Sequence, residues 1–238
     1  MPTLKSVMSE LQSKGTEQTR KTYARHGMAK ERVIGVSSAD MKLIAKSIKG
    51  QQDLAYELYA TGMMEAMYLA AMVANGAKMT PDQLQAWAMK SAGLAMVFEY
   101  AVPWVAVENP VGRQLALDWV ESDEEHMAAC GWKTYAGLLV TRADADLDLE
   151  EVTALLDKAV AGIGVGAERA RYCKNGFVIS VGTHVKPLYE RARAAAEAIG
   201  TVAIDVGDTA CKVPNASAAI EKASAAGQLG KKKKTIRC

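Results

Sequence analysis

ERARYCKNGFVISVGTHV, residues 168–185, reads as one long helix with two unlike ends. Ala170, Cys173, Phe177 and Val181 recur at three- and four-residue spacing, the mark of an apolar helical stripe. Arg169, Arg171 and Lys174 occupy the first two turns with only Glu168 against them. Val178, Ile179, Gly182 and Val185 leave the far end almost no polar face. The spacing predicts a helix sealed into a core at one end and presenting cations at the other. An ordinary core helix with a solvated basic end has the same pattern, so the surrounding chain has to decide between them.

Working outward, helix signals continue in both directions. Upstream, Asp146 or Asp148 caps a helix through Ala161, and Gly162 to Gly166 forms the loop before residue 168. Ser122 with Glu125 reads as a capping box opening a helix from Asp123 to Leu139. Asn109–Pro110 and Thr80–Pro81 read as N-cap followed by proline at the first helical position. Ser37 with Asp40 starts another helix, and Ala92 to Val107 is an apolar helix that Pro103 kinks or splits. Downstream, Lys186 to Ile199 is helical, and residues 200–214 lose the period, with Val202 to Val206 a candidate extended piece. Asn215 caps a last helix. Residues 229–238, with Lys231, Lys232, Lys233 and Lys234, have almost no apolar anchor and are expected to form a basic flexible tail after a single helical domain over 1–228.

About a dozen helices joined by short turns predict an all-α fold. The pairs 52–75, 80–107, 110–141 and 148–183 follow at intervals of roughly thirty to forty residues, as in a helical-repeat solenoid. A compact bundle is the alternative.

Composition agrees with a helical globular chain: 238 residues, 50% hydrophobic and 24% charged, rich in alanine and methionine. The net charge of +2 is unevenly spread. Residues 1–50 carry ten bases against four acids, 118–157 two against eleven, and 168–238 thirteen against six. Basic ends suit a polyanion, while the acidic middle reads as a solvated back. Cys130, Cys173, Cys211 and Cys238 form no CxxC pair, and the N-terminus lacks an apolar signal core, so reduced thiols and a cytoplasmic location are expected. No run has the length of a membrane span.

Several chemistries are poorly supported. His26, His126 and His184 are isolated, so no metal is expected. Gly162, Gly164 and Gly166 follow a helix rather than a strand, which argues against a nucleotide-binding turn. Cys130 and Cys173 fall on core stripes. Glu99 differs: it lies among Leu94, Ala95, Met96, Val97, Phe98, Tyr100, Ala101 and Val102, where a carboxylate is costly unless paired, protonated or facing a groove. It is read either as a surface residue on an exposed stripe or as a carboxylate offered to a cationic ligand.

GVSSADMKLIAKSIK (35–49), EAMYLAAMVA (65–74), WVESDEEHMAACGWKTYAGLL (119–139) and ARYCKNGFVISV (170–181), in this order and spacing, resemble the AlkD-like DNA alkylation repair family. The resemblance spans about Tyr23 to Val185. It implies HEAT-like repeats curved into an α-α superhelix and a basic face that grips duplex DNA. It also implies, in active members, release of cationic alkylated purines by a carboxylate, aromatic rings and an arginine. Counting back from Pro103, Glu99 falls at the family's catalytic aspartate, and Ala95 stands where the family has tryptophan. Ala129 stands at the arginine, and Phe177 matches a second aromatic.

These readings lead to a DNA-binding protein on damaged or structured duplex, divergent or catalytically reduced as a glycosylase. Glu99 is the candidate catalytic carboxylate. Lys133, Arg171, Lys174, Phe177, Trp104 and Lys231 to Lys234 are the candidate nucleic-acid contacts, and neither cofactor nor metal is expected. The alternative is a helical scaffold that binds a protein.

Overall fold

The computed structural model describes residues 2–205, 207 and 211–237. All regular structure among them is helical. The residues gather into two compact units, where a single domain was expected: one runs to Gly112 and takes in Gly207 and Arg237, and the other holds Arg113–Asp205 and Cys211–Ile236.

The first unit contains α1 (Leu4–Lys14), α2 (Glu17–Arg25), α3 (Ser38–Ser47), α4 (Gln52–Ala60), α5 (Met64–Val73), α6 (Pro81–Lys90) and α7 (Val102–Glu108). The expected caps appear at two starts: the Ser37 side chain accepts from Asp40 N, and Thr80 forms a full capping box with Gln83 ahead of Pro81. α5 is buried along nearly its whole length. Its one acid, Glu65, is 0% exposed and accepts from the backbone N–H groups of Ile34, Gly35 and Val36 at 2.9, 2.5 and 3.1 Å. Three charge-assisted bonds offset the desolvation of that carboxylate and fix the connection between α2 and α3.

The predicted helix 92–107 is broken. A turn ends at Leu94, a π-helical turn covers Val97–Ala101, and α7 starts at Val102. The Val102 N–H bonds back five residues to Val97 O. Pro103 has no N–H to give to the carbonyl four residues earlier, so the backbone relaxes into the wider turn just before it. Asn109–Pro110 does not open a helix either. Asn109 ends α7, and its side-chain amide donates to Gly76 O and Met79 O at 2.7 and 2.8 Å.

The second unit contains α8 (Gly112–Val120) from its second residue on, α9 (Glu125–Thr141), α10 (Leu149–Ala161), α11 (Glu168–His184), α12 (Tyr189–Ile199) and α13 (Ala216–Ala225). Asp148 and Asn215 cap α10 and α13 as expected. Ser122 does not form its box: its hydroxyl accepts from Glu124 N, and α9 starts later, at Glu125, without a side-chain cap. The helix of residues 168–185 is α11, with Cys173, Phe177, Val178 and Val181 fully buried. Trp132 of α9 lies 5.1 Å from Phe177, ring centre to ring centre, and Tyr135 lies 5.9 Å from it. Glu125 at the start of α9 accepts from Arg169 N at the start of α11. The two helices therefore run side by side in the same direction and pack directly on each other, with α10 connecting them in the chain and packing on α11 and α12.

Residues 202–205 form no strand, and Val206 lies outside the described residues. The segment after α13, expected to be a flexible tail, is held by polar bonds instead. Gly230 N donates to Thr183 O, Lys233 N to Val140 O, and Lys232 Nζ to Leu139 O, all at 2.8 to 2.9 Å. In the first unit, Arg237 donates to Ala71 O and Ala74 O and pairs with Glu108. An apolar anchor is not needed where free carbonyls at helix ends supply acceptors.

Candidate nucleic-acid interface

The parallel pair α9–α11 brings cations and an aromatic ring together. Lys133 Nζ lies 5.2 Å from the ring centre of Tyr172, and the Arg169 guanidinium carbon lies 5.0 Å from it. All three side chains are half-buried. Both helices contribute because their first turns are tied by the Glu125–Arg169 bond, and because Tyr172 and Arg169 lie one turn apart on α11. A ring that attracts two cations holds their charged ends near one place. Sequence reading singled out Lys133, placed Arg169 on the basic end of the helix without naming it as a contact, and missed Tyr172. The signal was their i, i+3 spacing on the basic end of the helix.

Arg171 and Lys174 serve a different end. Arg171 Nε donates to Ile163 O and its Nη2 to Ala203 O, both at 2.9 Å. Lys174 Nζ donates to Gly162 O at 2.8 Å. Burial first, then the nearby Lys158 and Arg171, hold the Lys174 ammonium below the usual lysine value. These two cations close the loop 162–166 onto α11, and so account for the glycine-rich loop that resembled a phosphate-binding turn.

The aromatic candidates are interior. Phe177 is 0% exposed under Trp132, and Trp104 is 2% exposed against Tyr68, ring centres 4.8 Å apart. Neither offers a face to a base, and this corrects their expected role. The apolar spacing that made Phe177 conspicuous is the spacing that buries it.

Glu99 lies in the π-helical turn and is 2% exposed, between buried Phe98 and exposed Tyr100. Its carboxylate is therefore buried rather than presented at the surface. Ala129, at the position the resemblance gives to arginine, is 0% exposed. Of the lysine run, Lys231, Lys233 and Lys234 are exposed, while Lys232 turns in to Asp144 at 2.7 Å.

The isolated histidines stay apart. His184 Nδ1 meets Lys231 O at 2.7 Å, and because a carbonyl only accepts, Nδ1 carries the proton. Cys130 and Cys173 are buried and Cys211 is exposed. Burial pushes the Cys130 thiol well above its usual value. Among the described residues no cluster of His, Cys, Asp or Glu could hold a metal ion, and no helix is long and apolar enough to cross a membrane.

Comparison with known proteins accords with this architecture. A family model described as DNA alkylation repair enzyme matches residues 7–161. Uncharacterized proteins of Listeria monocytogenes and Listeria innocua are each 28% identical over 226 residues, covering 94% of this chain and 98% of theirs. A solved structure is 33% identical over the whole of both chains with a TM-score of 0.90. It is described as a new family of proteins related to the HEAT-like repeat DNA glycosylases with affinity for branched DNA structures. The present chain has a HEAT-like repeat helical fold, and it belongs to the DNA alkylation repair enzyme family.

Proposed function

We propose that this protein binds branched or otherwise structured DNA through the α9–α11 face and does not excise alkylated purines. The observation that carries the reading is the pairing of Lys133 and Arg169 over Tyr172, set against a candidate catalytic carboxylate that is enclosed. Cations held on an aromatic ring suit phosphate oxygens, which need charge and donors but no pocket. Base excision asks for more: a carboxylate, a π-face and a fixed guanidinium must surround a departing cationic base. Here Glu99 is buried, and alanine stands at residues 95 and 129. Losing one such preorganised contact costs about 3 kcal/mol, a hundredfold or more in rate, and two are missing. The affinity for branched DNA described for the relative of known structure supports the choice of ligand.

The test has two arms. Binding of the full chain to a four-way junction, a linear duplex and a single strand is measured by competition. Release of a methylated purine from duplex is measured at protein excess, with Glu99→Gln as the control. Junction preference without release supports the reading. Release that disappears in Glu99→Gln would overturn it, and absence of any DNA affinity would leave the protein-binding scaffold in its place.

A further inference from the structure

The run Lys231–Lys234 is laid across the C-terminal ends of α9 and α11, while Arg169 and Tyr172 lie in the first turns of α11 and Lys133 reaches the Tyr172 ring from the middle of α9. A helix leaves its last four carbonyls without partners. Three of those belonging to α9 and α11 are met by this segment: Leu139 O by Lys232 Nζ, Val140 O by Lys233 N, and Thr183 O by Gly230 N. His184 Nδ1 donates to Lys231 O, and Lys232 pairs with Asp144. The fixed backbone sorts the lysines. Lys232 points inward, while Lys231 and Lys233 on either side of it, with Lys234, are exposed. They are three positioned cations at helix ends where the backbone dipole is negative.

From Arg169 to His184 is fifteen residues of α11, about 22 Å of helix axis at 1.5 Å per residue. That equals about six phosphate steps of one strand at 3.4 Å each. Between the two cation groups α11 reads NGFVISVGT from 175 to 183 and α9 reads TYAGLLVT from 134 to 141, with no charge in either. A methyl at Gly176 would meet nothing within 4 Å, so this middle stretch is open at that position as well as uncharged. One duplex lying along both helices would present phosphates throughout that span, where these two helix stretches carry none of the cations that neutralise them. Two separated cation groups on one rigid pair of helices suit two separate stretches of backbone.

We propose that Lys231, Lys233 and Lys234 bind the phosphates of a second duplex arm, while Lys133 and Arg169 bind the first. The inference rests on the DNA-binding reading above and deepens it: the ligand is a junction whose arms are held about 22 Å apart along α11. Lys232 does not bind DNA but positions its three neighbours.

The full chain, Lys231→Ala/Lys233→Ala/Lys234→Ala, Lys133→Ala/Arg169→Ala and Lys232→Ala are compared on a four-way junction and on a linear duplex the length of one arm, over a range of salt. The tail triple variant is expected to lose about tenfold in junction affinity at low salt. Its junction salt slope should fall by nearly three, while its duplex affinity changes less than about twofold. Lys133→Ala/Arg169→Ala is expected to weaken both ligands. Lys232→Ala is expected to weaken junction binding and to speed tryptic cleavage within 229–236, because its neighbours lose their fixed positions. An equal loss on both ligands in the tail triple variant, or no loss on either, would overturn the two-arm arrangement while leaving DNA binding in place. Failure of the unaltered chain to bind any DNA would instead remove the reading on which the inference stands. Unchanged thermal unfolding of the tail triple variant shows that lost affinity is not lost fold.

Discussion

Gly35 gives its backbone N–H to Glu65 Oε1 at 2.5 Å, thirty residues along the chain, and does so from a left-handed conformation with φ of 95°. The same carboxylate takes the N–H groups of Ile34 and Val36. Replacing Glu65 by alanine leaves three buried donors without acceptors, and the expected loss is roughly 3 kcal/mol or more. Glu65→Gln keeps one oxygen but turns an amide donor toward a backbone donor, so it should recover only part of the loss. Gly35→Ala should also be damaging, since its Cβ would sit 2.4 Å from Thr16 O. Chemical denaturation of the three variants checks this, and near-wild-type midpoints would show that the carboxylate contributes nothing to the fold.

The cations of α11 are expected to separate by role. Arg169→Ala and Lys133→Ala should each weaken DNA binding and lower the salt slope by about one. Arg171→Ala and Lys174→Ala remove bonds to backbone carbonyls and should lower stability by about 1 kcal/mol each, with little change in salt slope. Titrations at several salt concentrations beside thermal melts distinguish the pairs. A slope change confined to Arg171 and Lys174 would reverse the assignment.

His184 should make stability depend on pH. Burial, then Lys233 and Lys232, lower its folded-state value, while the bond to Lys231 O pulls the other way. The sign follows from linkage. In the window between the lowered folded value and the unfolded value near 6.5, the unfolded chain binds more protons, so stability falls as pH drops through that window. The loss levels off below the folded value. His184→Asn retains a donor toward Lys231 O without a titrating ring. Melts from pH 8 to 5 should show a smaller acid-side loss in that variant, and identical profiles would exclude His184 as the source.

Thiol reactivity should divide by burial. Cys211 is exposed and is expected to alkylate readily in the native protein. Cys130 and Cys173 are buried, and the Cys130 thiolate is further disfavoured by desolvation, so both should stay unmodified until the chain unfolds. Peptide mapping after brief alkylation reads this directly, and rapid labelling of Cys130 would mean that α9 opens.

Much of the fold was written in local chemistry. Ser37, Thr80, Asp148 and Asn215 cap the helices they were expected to cap, because a side-chain acceptor beside a helix start needs nothing from the rest of the chain. Ser122 and Asn109 were misleading for the converse reason: Ser122 spends its side chain on Glu124 N, and Asn109 gives its amide to the carbonyls of Gly76 and Met79, far upstream in the chain, while its Oδ1 accepts from Val111 N ahead of α8. The site was less legible. Glu65 and Glu99 are both acids in apolar runs, and only Glu99 drew notice, although the pattern in MEAMYLAAMV is the same. Which backbone donors meet a buried carboxylate depends on contacts tens of residues away. The tail was opaque for a similar reason: its anchors are carbonyls at helix ends, which composition does not display.

The π-helical turn at Val97–Ala101 also bears on how this chain is matched to its relatives. Such a turn accommodates one residue beyond the α-helical count, and one residue rotates everything before it by about 100° around the axis. Equating Ala95 with a family tryptophan by counting back from Pro103 crosses that turn, so it holds only for relatives that share the insertion. For a relative with an unbroken α-helix, the direction of that tryptophan corresponds to a neighbouring residue here. An attempt to graft the aromatic back should therefore place tryptophan at Leu94 as well as at Ala95.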